Sequence, residues 1–389
     1  MISKQDILNR AAQWQLRPAV VEKDYILGWL LSGVAQHPII GKEWIFKGGT
    51  CIKKCYFETY RFSEDLDFSL SQKAPYTEAF ILSEINEILE SVSSASGISF
   101  ATDQTTVEGK INKQNQPTFK AKITYSGPLV MPGTPKILFD ITNNEPLFSA
   151  PVKKTILHAY PDNIPPDALV AAYSLEELLA EKTRALYERT RPRDLYDVVY
   201  ILLNKDNDIN YSLLREIFIK KCESKSIQVP SSKELLDLIN SSAELKADWD
   251  AMLSHQLPGL PTVEDYLSRI ASLLRWIDES EMAPNAEVLG KASGEGQLVN
   301  PQGIQFWPGS TSLEVLRFSG ANRLKVKFDY NDKQDRIIEP YSLRRAATGN
   351  LLLYGWQDGE THIKAFIVDK IQNLTSTNIS FMPKFQVEF

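Results

Sequence analysis

Two runs carry most of the information in this chain: Phe46-Lys47-Gly48-Gly49-Thr50 and, after a helix-like segment, Arg61-Phe62-Ser63-Glu64-Asp65-Leu66-Asp67-Phe68. The second reads as a strand over 65–70. Side chains alternate faces along a strand, so Asp65 and Asp67 point the same way, their Cα atoms roughly 6.5 to 7 Å apart. Two carboxylates on one face repel each other, and a divalent cation relieves that repulsion. Mg²⁺ suits such hard oxygen ligands and also collects substrate phosphates. A third acid, Asp140, stands in Lys136-Ile137-Leu138-Phe139-Asp140-Ile141, an alternating strand over 136–142 able to lie beside the first. Three acids can hold two metal ions. Two ions about 3.5 to 4 Å apart activate an attacking hydroxyl and stabilise the leaving oxygen of an in-line phosphoryl displacement. Gly48 and Gly49 then permit a tight turn whose backbone N–H groups, with Thr50 opening a helix over 50–57, face a triphosphate. Taken singly, the glycines read as an ordinary turn and the acids as a solvated strand face; together with Asp140 they favour chemistry.

Outward from these runs, residues 1–40 read as helix, with Val20, Val21, Tyr25, Ile26, Trp29, Leu30 and Val34 at helical spacing. The stretch 43–142 is mixed, with strands over 43–47 and 118–125 and a helix over 76–92. Residues 174–276 are helical. Between 278 and 303 the composition shifts to Glu, Asn, Gly, Ser and Pro, including Ala292-Ser293-Gly294-Glu295-Gly296, which reads as a linker. Beyond it, strand-like segments over 324–330, 351–356 and 362–368, with Asn331-Asp332 and Asp358-Gly359 as turns, predict a small β-barrel. The expected fold class is α+β, in four parts: 1–173, the acid-bearing domain; 174–277, a helical domain completing the site; 278–303, the linker; and 304–389, the barrel.

At 389 residues the chain has room for more than one core, and 43% hydrophobic with 24% charged residues is a globular composition. A net charge of −6 argues against a globally cationic nucleic-acid coat, so any nucleic acid must be met by a local groove. The amino terminus lacks the apolar core of a signal peptide and the richest apolar run, 26–35, is too short and polar to span a bilayer. The reading is therefore cytoplasmic, with no membrane partner. Cys51, Cys55 and Cys222, with four scattered histidines, do not supply a four-ligand zinc site.

Ser174-Leu175-Glu176-Glu177 has the pattern of a capping box, predicting a helix from Leu175. Leu175, Leu178, Leu179 and Leu186 define its apolar face, and Lys182 falls on that face. Such a lysine either snorkels to water or is aimed at a cleft to bind phosphate. Arg184, Arg189, Arg191 and Arg193 follow it closely, a cluster suited to a triphosphate or an RNA backbone and equally compatible with a solvated surface. Pro192 opens a further helix with Asp194 and Asp197 on one side, where acids also complement the helix dipole and pair with Arg191 or Arg193.

The glycine and acidic runs, together with Glu22-Lys23-Asp24-Tyr25, Asp140, Ser174 to Lys182 and Arg193-Asp194-Leu195-Tyr196-Asp197, resemble the nucleotidyltransferase family of the AbiEii toxins, of the polymerase-β-like superfamily, over roughly residues 18–205. The resemblance implies an Mg²⁺-dependent nucleotidyltransferase toxin of a toxin–antitoxin or abortive phage infection system. It implies two Mg²⁺ ions on Asp65, Asp67 and Asp140, a nucleoside triphosphate held by Gly48, Gly49, Thr50, Lys182 and Arg193, and a role in activity for Asp194. The implied partners are a nucleoside triphosphate, an RNA acceptor with the tRNA 3′ end first in expectation, and a cognate antitoxin. Residues 304–389 resemble the WYL module through Asn322 to Tyr330, Ile338 to Arg345 and Ile363 to Ile371, with Leu351-Leu352-Leu353 in place of the naming tripeptide and Lys364 and Lys370 where arginines are usual. A nucleotide or nucleic-acid ligand and a purely structural role both stay open there. A second reading from another class is a nucleotide- or nucleic-acid-sensing regulator whose transferase fold binds without chemistry.

Overall fold

The structure is a computed structural model that describes residues 1–71, 76–111, 117–130, 133, 135–143, 145–279, 291–292, 296–299 and 313–389. It divides into two compact units. The first comprises Met1–Ala11, Arg17–Arg184 and Leu213–Val229; the second comprises Ala12–Leu16, Ala185–Ser212 and Pro230–Phe389.

The first unit is built on an eight-stranded mixed sheet: β1 (Trp44–Lys47), β2 (Asp65–Leu70), β3 (Ser99–Phe100), β4 (Thr106–Ile111), β5 (Pro117–Ser126), β6 (Lys136–Thr142), β7 (Val152–Thr155) and β8 (Leu169–Ala172). The order is β3-β5-β6-β2-β1-β8-β7, with β4 on β5. β2 pairs with β6, and β1 with β8, in parallel; the other pairs are antiparallel. Alternation in β2 is strict at its start: Leu66 and Phe68 are buried, Asp65 and Asp67 half-buried. The buried side holds Trp44, Phe46, Phe68 and Phe139 in one aromatic cluster, with ring centroids of Phe68 5.2 Å from Trp44, 5.4 Å from Phe46 and 5.8 Å from Phe139. Packing of these large rings fixes which face of β2 and β6 is left for the acids. The amino-terminal region is three helices, Lys4–Trp14, Pro18–Gln36 and Ile40–Glu43, and the helix expected over 76–92 runs from Glu78 to Ser96, started by the Thr77 side chain on Phe80 N and ended by Gly97 in the left-handed region.

The second unit joins helices, Pro192–Lys205 among them, to an antiparallel sheet of β9 (Gln297–Leu298), β10 (Leu324–Tyr330), β11 (Lys333–Arg345), β12 (Leu351–Trp356), β13 (Lys364–Ile367) and β14 (Ile371–Ser380). The order is β13-β12-β11-β10-β14, with β9 on β11. The barrel expected here does not close: among the described residues β13 and β14 form the two ends of the ladder. The apolar face is covered instead by the helix Leu313–Ala321, whose Leu313 and Leu316 join Val326, Phe328, Ile338, Leu343, Leu353 and Phe366 in one core. Deeper in this unit the stacked rings of Tyr196 and Tyr266 lie 5.4 Å apart, and both hydroxyls donate to Asn322 Oδ1, at 2.9 and 3.0 Å.

The linker expected over 278–303 falls largely outside the described residues. Its described parts attach to the sheet: β9 pairs with β11, and Ala292 is buried with Tyr341 and Phe381. Among the described residues no helix is long and apolar enough to cross a membrane.

Candidate active site

β1 ends in Lys47 and passes directly into the helix Gly48–Cys55, which begins two residues earlier than its predicted start at Thr50. Gly48 is at φ +81°, where a side chain is strained, and a Cβ there would stand 2.1 Å from Asp67 Oδ2. A Cβ on Gly49 would meet Arg61 Nη2 at 2.6 Å. Both glycines are therefore the space into which an acid and an arginine fit. Thr50 donates from Oγ1 to Asp65 O at 2.5 Å, which clips the helix to the start of β2.

Sheet register assembles the acids. Asp67 is paired with Asp140 across β2 and β6, Lys47 with Asp67 across β1 and β2, and Lys120 with Asp140 across β5 and β6. Directly paired residues share a face, so Lys120, Asp140, Asp67 and Lys47 form one row across four strands, with strands about 4.8 Å apart. Asp65 lies two residues from Asp67 on the same face. The expectation that Asp140 lies beside the Asp65/Asp67 strand matches this register.

The electrostatics follow from that crowding. Burial, reinforced by Asp140 and Asp65 and opposed by Lys47 and Lys182, pushes the Asp67 carboxyl up to about 6. Burial also raises Asp65, with Asp140 and Glu64 adding to the effect and Lys23 opposing it. The charge of Lys182 thus bears on Asp67. Among the described residues no three His, Cys, Asp or Glu side chains close into a ready-made metal cage. The donor set nonetheless fits Mg²⁺, which is commonly held by one or two carboxylates and completes its shell with water and substrate phosphates. Asp67 and Asp140 supply hard oxygens in register, and Asp140 is 40% exposed.

The helix beginning at Leu175 buries Leu175, Leu178, Leu179 and Leu186 as expected. Ser174 Oγ accepts from Glu177 N at 3.1 Å, which is half of the predicted capping box. The other half is absent because Glu177 is drawn elsewhere: it accepts from Ser149 N at 2.9 Å and pairs with the buried Lys221 at 2.8 Å. Lys221 also reaches Glu181 at 3.3 Å, and Arg184 pairs with Glu181 at 2.6 Å. Burial works against ionisation of Glu181, but Lys221 and Arg184 outweigh it and hold the carboxyl low.

The expected cluster of phosphate-binding arginines is thereby divided. Arg184 is buried on Glu181, and Arg191 turns to Glu244 at 3.4 Å and Asp248 at 3.6 Å. Asp194 and Arg193 belong to the second unit. Asp194 is buried and bound by two nitrogens of Arg189, Nε at 2.8 Å and Nη2 at 3.2 Å; Arg193 is exposed at the start of its helix. In the carboxy-terminal sheet Lys364 is paired with Glu360, and Lys370 is exposed. Glu22-Lys23-Asp24-Tyr25 proves to be bracing: Glu22 accepts from Leu129 N at 2.6 Å, Lys23 pairs with Glu64 at 2.9 Å, Asp24 pairs with the buried Lys54 at 2.7 Å, and Tyr25 donates to Asp162 at 2.7 Å.

Sequence reasoning passed over Lys47, Lys120, Glu145 and Lys221. Lys47 forms an ion pair with Glu145, which accepts from Ser69 Oγ at 2.8 Å. Burial opposes ionisation of Glu145, and Lys47 outweighs it and keeps the carboxyl low. The signal for Lys47 was its position at the end of a strand antiparallel to β2. Glu145, in a loop, offered none.

A glycine turn against strand-borne carboxylates, with a lysine from a following helix bearing on them, is the arrangement the sequence reading expects of a nucleotidyltransferase. Comparison agrees: residues 29–269 match the family model described as nucleotidyl transferase AbiEii toxin, type IV TA system, and the chain belongs to that family. No curated protein matches it. Among solved structures it is similar to MenT4, the nucleotidyltransferase toxin Rv2826c from Mycobacterium tuberculosis H37Rv, at 18% identity and a TM-score of 0.50, over 72% of this chain and 90% of that one. At that identity the likeness concerns the fold.

Proposed function

We propose that this toxin is an Mg²⁺-dependent cytoplasmic enzyme that transfers a nucleoside monophosphate from a nucleoside triphosphate to RNA, with the tRNA 3′ end as acceptor, in abortive phage infection under the control of a cognate antitoxin. The observation that carries the reading is the in-register pairing of Asp67 and Asp140 beside the Gly48-Gly49 turn, with Lys182 bearing on Asp67. Asp65, Asp67 and Asp140 are the residues to hold Mg²⁺, which when bound supplies charge neutralisation and activation of the attacking hydroxyl. Lys182 binds a phosphate of the triphosphate, and the N–H groups at the start of the helix Gly48–Cys55 face the same anion. Lys47, locked to Glu145, keeps a fixed positive charge beside Asp67. Asp194 acts by holding Arg189 at the start of the helix Pro192–Lys205.

The test is incubation of purified protein with each labelled nucleoside triphosphate, Mg²⁺ and total RNA. Label should appear in an RNA of tRNA size with the wild type and vanish with Asp67→Asn. Label in no RNA under any nucleotide, or label retained by Asp67→Asn, would overturn the reading.

A further inference from the structure

The row Lys120, Asp140, Asp67, Lys47 is flanked by two lysines of unlike character. At one end Lys47 is 16% exposed and fixed on Glu145, itself 8% exposed. At the other, Lys120 Nζ lies 3.2 Å from Asp140 Oδ1, with the two side chains 46% and 40% exposed. Lys120 has another carboxylate within reach of its register, Glu108 on β4, directly opposite it. Yet Glu108 is taken by Lys122, at 2.8 Å, and Lys120 leans toward the acids instead. Its charge acts on Asp65 as well.

A divalent ion on Asp140 competes with this ammonium for the same oxygen lone pairs, and two like charges so close repel. Lysine is a point charge on a flexible stem with rotatable donors, suited to exchanging one anion for another. We propose that Lys120 is a phosphate-binding residue of the transfer reaction that Asp140 holds in reserve: it counterbalances Asp140 until a divalent ion takes that carboxylate, and then turns onto a phosphate of the substrate. The inference rests on the metal-dependent reading above. The phosphate belongs either to the triphosphate or to the acceptor strand, and separate titrations distinguish them.

The experiment uses the full chain with Lys120→Ala and Lys120→Arg. Without nucleotide, Mn²⁺ binding followed by electron paramagnetic resonance should tighten about two- to fivefold in Lys120→Ala, the scale of an exposed ion pair. In the presence of Mg²⁺, the Kd for a non-hydrolysable nucleoside triphosphate or for a short RNA should weaken about five- to tenfold, and Lys120→Arg should recover most of it. The ligand that weakens names the source of the phosphate. Unchanged Mn²⁺ affinity, or unchanged affinity for both phosphate ligands, would overturn the assignment. Asp67→Asn separates the two levels of argument: wild type that binds Mn²⁺ no better than Asp67→Asn defeats the metal-dependent reading itself, whereas a clear difference with no effect in Lys120→Ala defeats only the role of Lys120.

Discussion

Gly48 cannot be replaced quietly. Its φ of +81° and the 2.1 Å approach of a Cβ to Asp67 Oδ2 predict that Gly48→Ala strains the backbone and displaces the carboxylate together. The expected result is a loss of about 1 to 3 kcal/mol in thermal or chemical denaturation and loss of transfer activity. Asp67 behaves in the opposite sense. Its carboxyl is raised to about 6 from 3.8, so between roughly pH 4 and 6 the folded chain holds a proton that the unfolded chain has released. Stability from this group is therefore present at low pH and is lost as pH rises through that window, by about 1 to 2 kcal/mol once partial exposure is allowed for. Asp67→Asn should remove that slope, raise Tm at pH 8 and abolish transfer. A variant less stable than wild type at pH 8 would show that Asp67 is held by contacts that favour its charge.

Two lysines of one element network separate binding from folding. Lys221, buried on Glu177 and Glu181, should not be removable: Lys221→Met leaves the fully buried Glu177 without its ion pair and Glu181 with Arg184 alone, and is expected to cost about 3 to 5 kcal/mol, read by urea denaturation. Lys182→Met should leave Tm within a degree or two and weaken triphosphate binding about tenfold, measured by calorimetry. An unchanged Kd would mean that Lys182 only snorkels. The elements themselves were legible where periodicity and caps coincide. β2, β6, β10 and β12 begin and end where alternation predicted, and Leu175 opens its helix because Ser174 caps it. What sequence did not expose were long-range partners. The pattern of 174–177 fits a capping box, but the Glu177 carboxylate goes to Ser149 and Lys221, partners that no local spacing announces. The barrel was missed for a related reason: strands were readable, but not that the helix Leu313–Ala321 covers their apolar face.

At the scale of the molecule, the composition of 278–303 predicts separable halves, and the second compact unit holds both the carboxy-terminal sheet and helices that precede that stretch. Asn322, at the entrance to β10, accepts from Tyr196 and Tyr266, so the carboxy-terminal sheet shares a polar core with helices that precede the expected linker. Arg323 adds to this bond, donating to Leu203 O at 2.9 Å and to Gly320 O at 2.9 Å. A chain cut at a protease site inserted after Pro284 should therefore elute from a sizing column as one particle, and Asn322→Ala should lower Tm by removing the acceptor that both tyrosine hydroxyls share. Fragments that separate after cutting would restore the independent arrangement.

The row of charges also constrains how the sheet can assemble. In β2 and β6 each acid is flanked by buried apolar residues, Leu66 and Phe68 around Asp67, Phe139 and Ile141 around Asp140. A slip of one residue between these parallel strands would turn one acid into the aromatic core and bring a phenyl ring or an isoleucine out in its place. A misaligned sheet would thus bury an unpaired carboxylate, an outcome far costlier than the repulsion the correct alignment tolerates. The acids thus proofread the pairing of the strands that carry them, so substitutions that remove their charge relax the alignment that sets them side by side.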